Sequence, residues 1–393
     1  MDELAEFGTI VLVISAGGLV ALFGRKLTER LPIPAPAIFL LAAAVAPALI
    51  PDIRTVERVG VIALIVILFD GGMSIGWRRF RRAWVPIASL GIVGTFATAG
   101  LMAVCAHYLF GFDWTTAGIL GAALAPTDPA VMFSILGDKQ IAGRTGIILE
   151  GESGVNDPVG IALMIGMLEF ATSDEGSFWT IAGEFFVEMS VGLIVGLGGA
   201  ALLIPLMRSI SLPGEGLYPL RALAAAGVIY GLASVAHGSG FLAVFVAGLA
   251  LGDLDLPYKG EIMRFQVTLA SLAEIVMFVA LGLTVSFADL LDQGVWLDGL
   301  LLALILAFVA RPLAVAPLLL PLRLRMGERI FVAWGGLKGA VPILLAAFAI
   351  LAEVDDAQRL YEIVFVVVLF SVVVQGSSLG LAARRLGVRV RPA

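Results

Sequence analysis

Gly121-Ala122-Ala123-Leu124-Ala125-Pro126-Thr127-Asp128-Pro129-Ala130 is an apolar run interrupted by two prolines and one carboxylate. A helix continued through it would lose backbone hydrogen bonds at the prolines. Further on, Trp334-Gly335-Gly336-Leu337-Lys338-Gly339-Ala340-Val341-Pro342 repeats the arrangement with glycines, a proline and one cation. Both stretches lie within apolar runs of bilayer-spanning length. Unwound backbone at that depth is tolerated only inside protein or beside a water-filled cavity.

The rest of the chain supports a membrane reading. Its 393 residues are 60% apolar and only 14% charged, with a mean hydropathy of +1.03, which excludes a soluble domain of this length. The net charge of −6 says little about partners, because here the placement of charges matters more than their sum. Cys105 is the single cysteine, so neither an intramolecular disulfide nor a thiolate metal site is expected. The N-terminal Met1-Asp2-Glu3-Leu4-Ala5-Glu6 lacks the basic stretch of a signal peptide, so the first apolar run is expected to stay as a helix.

Cutting the apolar runs at charges and Gly/Pro clusters predicts about thirteen spans. They fall at 6–24, 35–50, 56–73, 84–107, 115–136, 145–172, 178–207, 217–235, 240–252, 263–285, 297–319, 330–352 and 361–383. With the N-terminus outside, the inward loops collect Arg25, Lys26, Arg30, Arg78, Arg79, Arg81, Arg82, Lys139, Arg144, Arg208, Arg221, Lys259, Arg264, Arg323, Arg325, Arg329, Arg384, Arg385, Arg389 and Arg391. Only Arg54, Arg58 and Arg359 fall in the outer loops, which gives an outside N-terminus and a cytoplasmic C-terminus. The two broken segments, spans five and twelve, are an odd number of spans apart and so run in opposite directions. Matching interruptions in two inverted halves point to the binding site of a secondary transporter. Spans one to six and eight to thirteen form those halves. The predicted fold is thus an all-α polytopic membrane protein with two inverted repeats and broken crossing helices.

Span six opens with Glu152-Ser153-Gly154-Val155-Asn156-Asp157-Pro158. A carboxylate in mid-membrane costs at least about 2.5 kcal/mol on insertion scales and is read as functional. Residues four apart share a helix face, so Ser153 and Asp157 present a hydroxyl and a carboxylate together, both hard oxygen ligands. Glu152 and Asn156 occupy the neighbouring stripe. Arg311 is the expected partner of Glu152, because guanidinium stays ionised when buried, with Asn156 as the polar link between them. Asp157 and Asp128 are then left to share a cation or protons. Asp128 is expected to offset half-helix N-termini in span five, and Lys338 the C-terminal ends in span twelve.

These motifs, together with Phe69-Asp70-Gly71-Gly72-Met73 and Gly238-Ser239-Gly240-Phe241-Leu242-Ala243-Val244, resemble the NhaP-like branch of the monovalent cation:proton antiporter family over essentially the whole chain. The resemblance implies a homodimer in the inner membrane, with a dimer subdomain at about 1–83 and 178–290 and a core subdomain at about 84–177 and 291–393. It also implies a cation site of Asp157, Asp128, Ser153 and a Thr127 oxygen, and a Glu152–Arg311 pair. Asn156, where electrogenic relatives carry a second Asp, implies one-for-one electroneutral exchange. Lys338 departs from the branch, which more usually has Arg there. The C-terminal sequence is nearest the potassium-preferring members, many of which continue into cytosolic regulatory domains. The chain stops at Ala393, so that regulation is expected to be absent or removed. The cargo is Na⁺ or K⁺ and H⁺, with no cofactor and no nucleic acid.

Three other readings compete. Gly151-Glu152-Ser153-Gly154 and Ala236-His237-Gly238-Ser239-Gly240 fit the motifs of rhomboid-like intramembrane serine proteases, but that leaves Asp128, Asp157 and Arg311 without a role. Gly252-Asp253 falls in a cytoplasmic loop and cannot be a buried aspartyl catalytic site. A cation channel would explain the acidic residues, but not two inverted breaks. Glu184, Glu188 and Glu274 also fall within spans, as cavity-lining or dimer-interface positions.

Overall fold

The computed structural model describes residues 34–44, 52–128, 131, 139–172, 178–285, 290 and 294–392. The predicted span at 6–24, the last six residues of that at 35–50 and, apart from Val131, the part of span five beyond Asp128 lie outside the described residues. The regular structure of the described residues is helical apart from one antiparallel pairing, of Lys139–Ile141 (β1) with Val390–Pro392 (β2). In chain order the helices are α1 Ala35–Ala44, α2 Ile53–Ile75, α3 Trp77–Arg82, α4 Trp84–Phe110, α5 Trp114–Leu124, α6 Gly143–Thr172 and α7 Phe178–Ser209. They continue as α8 Leu217–Val235, α9 Gly240–Gly252, α10 Lys259–Gly282, α11 Val295–Leu319, α12 Met326–Trp334, α13 Ala340–Leu351 and α14 Ala357–Arg385.

Among the described residues, eight helices are long and apolar enough to cross a membrane, and α5, α9 and α13 are shorter apolar helices. The predicted spans from the third onward each coincide with one of these, with two corrections. In span five helix α5 ends at Leu124 and 125–128 lie outside any helix, and span twelve divides into α12 and α13. Both divisions fall on the Gly/Pro interruptions. Pro158, by contrast, is carried inside α6 without ending it.

Local chemistry sets several helix ends. Asp113 accepts from the Thr115 and Thr116 amides at 2.8 and 3.1 Å to start α5, and Ser239 caps α9 through the Leu242 amide. Close helix contacts use small residues, as expected where hydrocarbon supplies no hydrophobic drive between helices. A methyl at Gly72 would lie 2.4 Å from the Phe245 carbonyl oxygen, and one at Gly248 2.5 Å from that of Phe69, so α2 and α9 touch backbone to backbone. Helix α7 is the least covered, with Phe186, Ile194 and Leu202 exposed on its surface.

Helices α4, α11 and α14 each contain a π-helical stretch, at Ser89–Gly94, Leu306–Ala310 and Ser371–Gly376. Such stretches are rare and concentrate at functional sites. All three adjoin the polar centre described next: a methyl at Gly91 would meet Val155 and the Glu152 carbonyl, Arg311 follows the second stretch, and Ser371 opens the third.

Candidate functional site

The two broken segments meet. Helix α5 ends at Leu124: Ala125 keeps helical dihedrals, but Pro126 has no N–H with which to continue the ladder, and Pro126-Thr127-Asp128 have no regular structure. Past Trp334, residues 335–339 unwind before α13 starts at Ala340, with Pro342 in its first turn, where a missing N–H is harmless. The Asp128 amide donates to the Leu337 carbonyl at 2.8 Å, joining the breaks through their backbones.

Their charges are exchanged. Lys338 Nζ donates to the Ala125 and Pro126 carbonyls at 2.8 and 2.9 Å, at the C-terminal end of α5. The Asp128 carboxylate lies against Gly339, the residue preceding α13; a methyl there would stand 1.9 Å from Asp128 Oδ2. This corrects the expectation that each charge serves the helix ends of its own span. Because the breaks cross, the side chain of one lies nearest the helix end of the other, and the dipole pairing of cation with C-terminus and anion with N-terminus is kept. Ser371 Oγ accepts from the Lys338 amide at 2.8 Å. Sequence reasoning did not find Ser371, because an isolated serine in an apolar span carries no pattern.

Helix α6 brings its polar stretch against the crossing. Asn156 Nδ2 donates to Thr127 Oγ1 at 2.7 Å and Asn156 Oδ1 accepts from the Thr127 amide at 3.3 Å, while Thr127 Oγ1 and Ser153 Oγ share a bond at 3.1 Å. Asn156 thus clamps the unwound segment and is not the link between Glu152 and Arg311 that its helix stripe suggested. An amide, which offers both donors and an acceptor, matches the Thr127 hydroxyl and the backbone N–H that unwinding leaves free. The Glu152–Arg311 pair itself forms, with Arg311 Nη2 2.6 Å from Glu152 Oε1 and both side chains almost fully buried. Arg311 also lies against Gly336, where a methyl would come within 2.4 Å of its guanidinium.

Asp157 stands apart from these pairings. It is 4% exposed, and its Oδ1 has no hydrogen-bond partner among the described residues. With Asp128, Glu150 and Ser153 it lines a cleft whose other wall comes from α2, α9 and α10, including Leu68, Phe245 and Glu274. Of the two places the sequence left open for Glu274, cavity lining or dimer interface, it occupies the cavity lining. Glu184 instead lies beside Glu169 of α6, with Glu188 nearby on α7. The protease reading finds no dyad, since Ser153 is buried against Thr127 and His237 is exposed in the turn after α8.

Residues 4–385 match the family described as sodium/hydrogen exchanger, transmembrane. The chain belongs to the sodium/hydrogen exchanger family. It is 35% identical to the K(+)/H(+) antiporter NhaP of Alkalimonas amylolytica, over 97% of this chain and 67% of that protein. It is 36% identical to the K(+)/H(+) antiporter NhaP2 of Shewanella sp. strain ANA-3, over 100% of this chain and 69% of the relative. Its fold matches the sodium proton antiporter MjNhaP1 of Methanocaldococcus jannaschii with a TM-score of 0.82 at 27% identity, covering 96% of this chain and 100% of that one. The exchanger fold predicted from sequence is thereby established, and a family of transporters excludes the protease.

Proposed function

We propose that this exchanger is a secondary active antiporter that trades a monovalent cation for a proton, one for one, at a single site centred on Asp157. The observation that carries the reading is the bare Asp157 oxygen in the cleft beside Asp128 and Ser153, while Glu152 is neutralised by Arg311. Asp157, Asp128, Ser153 and Thr127 supply oxygens to the cation, and Asn156 and Lys338 hold the crossing that positions them. Deprotonated Asp157 takes the cation, and a proton displaces it. Only the neutralised site crosses the low-dielectric barrier, because moving a bare charge through it is prohibitive. That barrier alone couples the two flows by alternating access.

The moving part is the core subdomain, about 84–177 and 291–393, sliding against a dimer subdomain of about 1–83 and 178–290 in a homodimer. The N-terminus lies outside and the C-terminus in the cytoplasm of the cell membrane. Potassium is the first candidate cargo, since the relatives at 35–36% identity are named for K⁺, whereas the Na(+)/H(+) antiporter ApNhaP of Aphanothece halophytica is 26% identical. Proton flux in proteoliposomes on stepwise addition of K⁺, Na⁺ and Li⁺ tests this directly. Saturable flux coupled to protons is expected; cation flux without proton movement would make the protein a channel.

Exchange is expected to be electroneutral. Asn156 carries no proton and Glu152 is held by Arg311, so one proton is traded per cation. A potential does about 2.3 kcal/mol of work per net charge per 100 mV, and here the net charge moved is zero. Clamping the potential in sealed liposomes should leave the steady-state cation distribution unchanged. Voltage-driven accumulation from equal pH and ion concentrations would require a second titrating group.

A smaller test addresses the crossing. Gly339→Ala places a methyl where Asp128 Oδ2 now sits. A misplacement of about 1 Å in a reacting group can cost on the order of a hundredfold. Cation affinity should therefore fall by at least about tenfold with the folded protein still recovered by size exclusion. Wild-type affinity would remove Asp128 from the cation site.

A further inference from the structure

The cleft beside Asp157 reaches toward the end of the bundle marked by basic residues and is closed toward the other. It runs along α6 from Asp157 to Glu150, which pairs with Arg79, and its α13 lining is Ala340 and Val341. Helix α13 leads away from the basic end, since α12 before it starts beside Arg325 and α14 after it finishes at Arg384 and Arg385. Leu344 lies three residues past Val341, about 4.5 Å further along α13. There the gap is shut: a methyl at Gly60 of α2 would stand 2.7 Å from Leu344 Cδ1, so the two helices touch.

A hydrogen bond reinforces this closure. Tyr361, 1% exposed in the second turn of α14, is bonded through its hydroxyl to Thr284 Oγ1, just past the end of α10. Thr284 Oγ1 donates its single proton to the Leu281 carbonyl at 2.7 Å. Toward Tyr361 it is therefore the acceptor, and the phenol donates. Both residues sit away from the basic end, because Lys259 opens α10 and Arg384 and Arg385 close α14. The bond also joins the two bodies of the exchange reading, with Tyr361 in the core and Thr284 in the wall it moves against. Apolar side chains part without losing a specific partner, whereas two buried hydroxyls need water or new partners once separated.

We propose that Tyr361 is a positioning residue whose hydrogen bond to Thr284 latches the transporter in the conformation that exposes Asp157 toward the basic face. Leu344 against Gly60 excludes water, and the hydroxyl pair adds a directional bond that must break before the opposite face opens. Neither Tyr361 nor Thr284 lines the cleft, so the bond acts on the balance of conformations and leaves the cation's own ligands untouched. For one site shared by two conformations, each face sees an affinity reduced by the fraction of molecules open to it. The ratio of the apparent affinities on the two faces then follows the ratio of the two populations, which is the quantity the latch biases.

Proton flux driven by K⁺ and by Na⁺ in everted and in right-side-out membrane vesicles gives an apparent KM for each face. Tyr361→Phe and Thr284→Val should each move the ratio of the two KM values by about threefold to tenfold, the equilibrium equivalent of one bond between neutral groups. The shift should disfavour the basic face. Thr284→Ser keeps the acceptor and should match wild type, and the double variant should shift no further than either single one. If Tyr361→Phe does not fold, Thr284→Val carries the comparison. An unchanged ratio, or a lower maximal rate with no change of ratio, overturns the latch. The inference rests on the core moving against the fixed wall, which is tested separately. In a Cys105→Ser background, which leaves the chain without cysteine, Gly60→Cys and Leu344→Cys are bridged by a short thiol cross-linker. Exchange should stop and return on reduction. Exchange that persists while bridged means that core and wall do not part here, so the moving-core reading fails and the latch with it. Exchange that stops, with the KM ratio unmoved in Tyr361→Phe and Thr284→Val, removes the latch alone.

Discussion

Asp157→Asn is expected to abolish cation-driven proton movement while leaving a folded protein. The asparagine keeps the shape of the side chain and removes the one group to which the exchange reading assigns both cation and proton. Asp157 Oδ1 has no hydrogen-bond partner among the described residues, so the substitution breaks no described bond at that oxygen. A neutral amide cannot offset the cost of holding a dehydrated cation at this depth, about 3 kcal/mol on insertion scales, so flux should drop by at least about a hundredfold. Flux should be read in proteoliposomes, with size exclusion and thermal melting as controls for folding. Asp128→Asn should weaken cation affinity strongly, since it leaves one carboxylate at the site. Ser153→Ala, which removes a neutral oxygen already shared with Thr127, should have a milder effect. Retained exchange with near-normal affinity in Asp157→Asn would refute the site.

The second large effect is on stability. Arg311→Ala leaves Glu152 buried at 1% exposure without its counter-charge and opens a space against Gly336. Breaking a buried pair by removing one partner costs about 3–5 kcal/mol, because the remaining charge is desolvated and uncompensated. Low yield and a clearly reduced melting temperature are expected. Adding Glu152→Gln removes the stranded charge and should recover part of the loss, with the remainder reflecting lost packing by the guanidinium. An Arg311→Ala protein as stable as the wild type would mean that the pair holds nothing together. Activity separates this case from the first: the double variant should regain some exchange, whereas no compensating change of this kind restores Asp157→Asn.

Much of the architecture was legible in the sequence. Hydrocarbon admits only long apolar helices, so the spans from residue 56 onward could be placed from hydropathy alone. A buried charge is costly enough to be rare, which made Asp128, Glu152, Asp157, Arg311 and Lys338 conspicuous. Helical spacing put Ser153 and Asp157 on one face and led to the Glu152–Arg311 pair, because an ionised carboxylate at that depth needs a cation.

Tertiary structure decided how the breaks use their charges. Nothing local to Lys338 says that its ammonium caps α5 and not its own segment, since that depends on two chain segments crossing more than two hundred residues apart. Asn156 likewise looked like a neighbour of Glu152 by helix stripe, yet its amide goes to Thr127, because unwinding at Pro126 exposes a backbone donor that only the folded protein brings within reach. Gly336 and Gly339 read as helix breakers in the sequence; their lack of a side chain also makes room for Arg311 and Asp128. Glu274 carried no motif at all, and only the packing of α10 against α2 brings it into the lining of the cleft that Asp157 also lines. The sequence by itself determined which groups are too costly to be idle in a membrane, because desolvation is a property of each residue and its depth. Which of them meet was decided by the fold, because hydrogen bonds and ion pairs act over a few ångströms between atoms that the chain order leaves far apart.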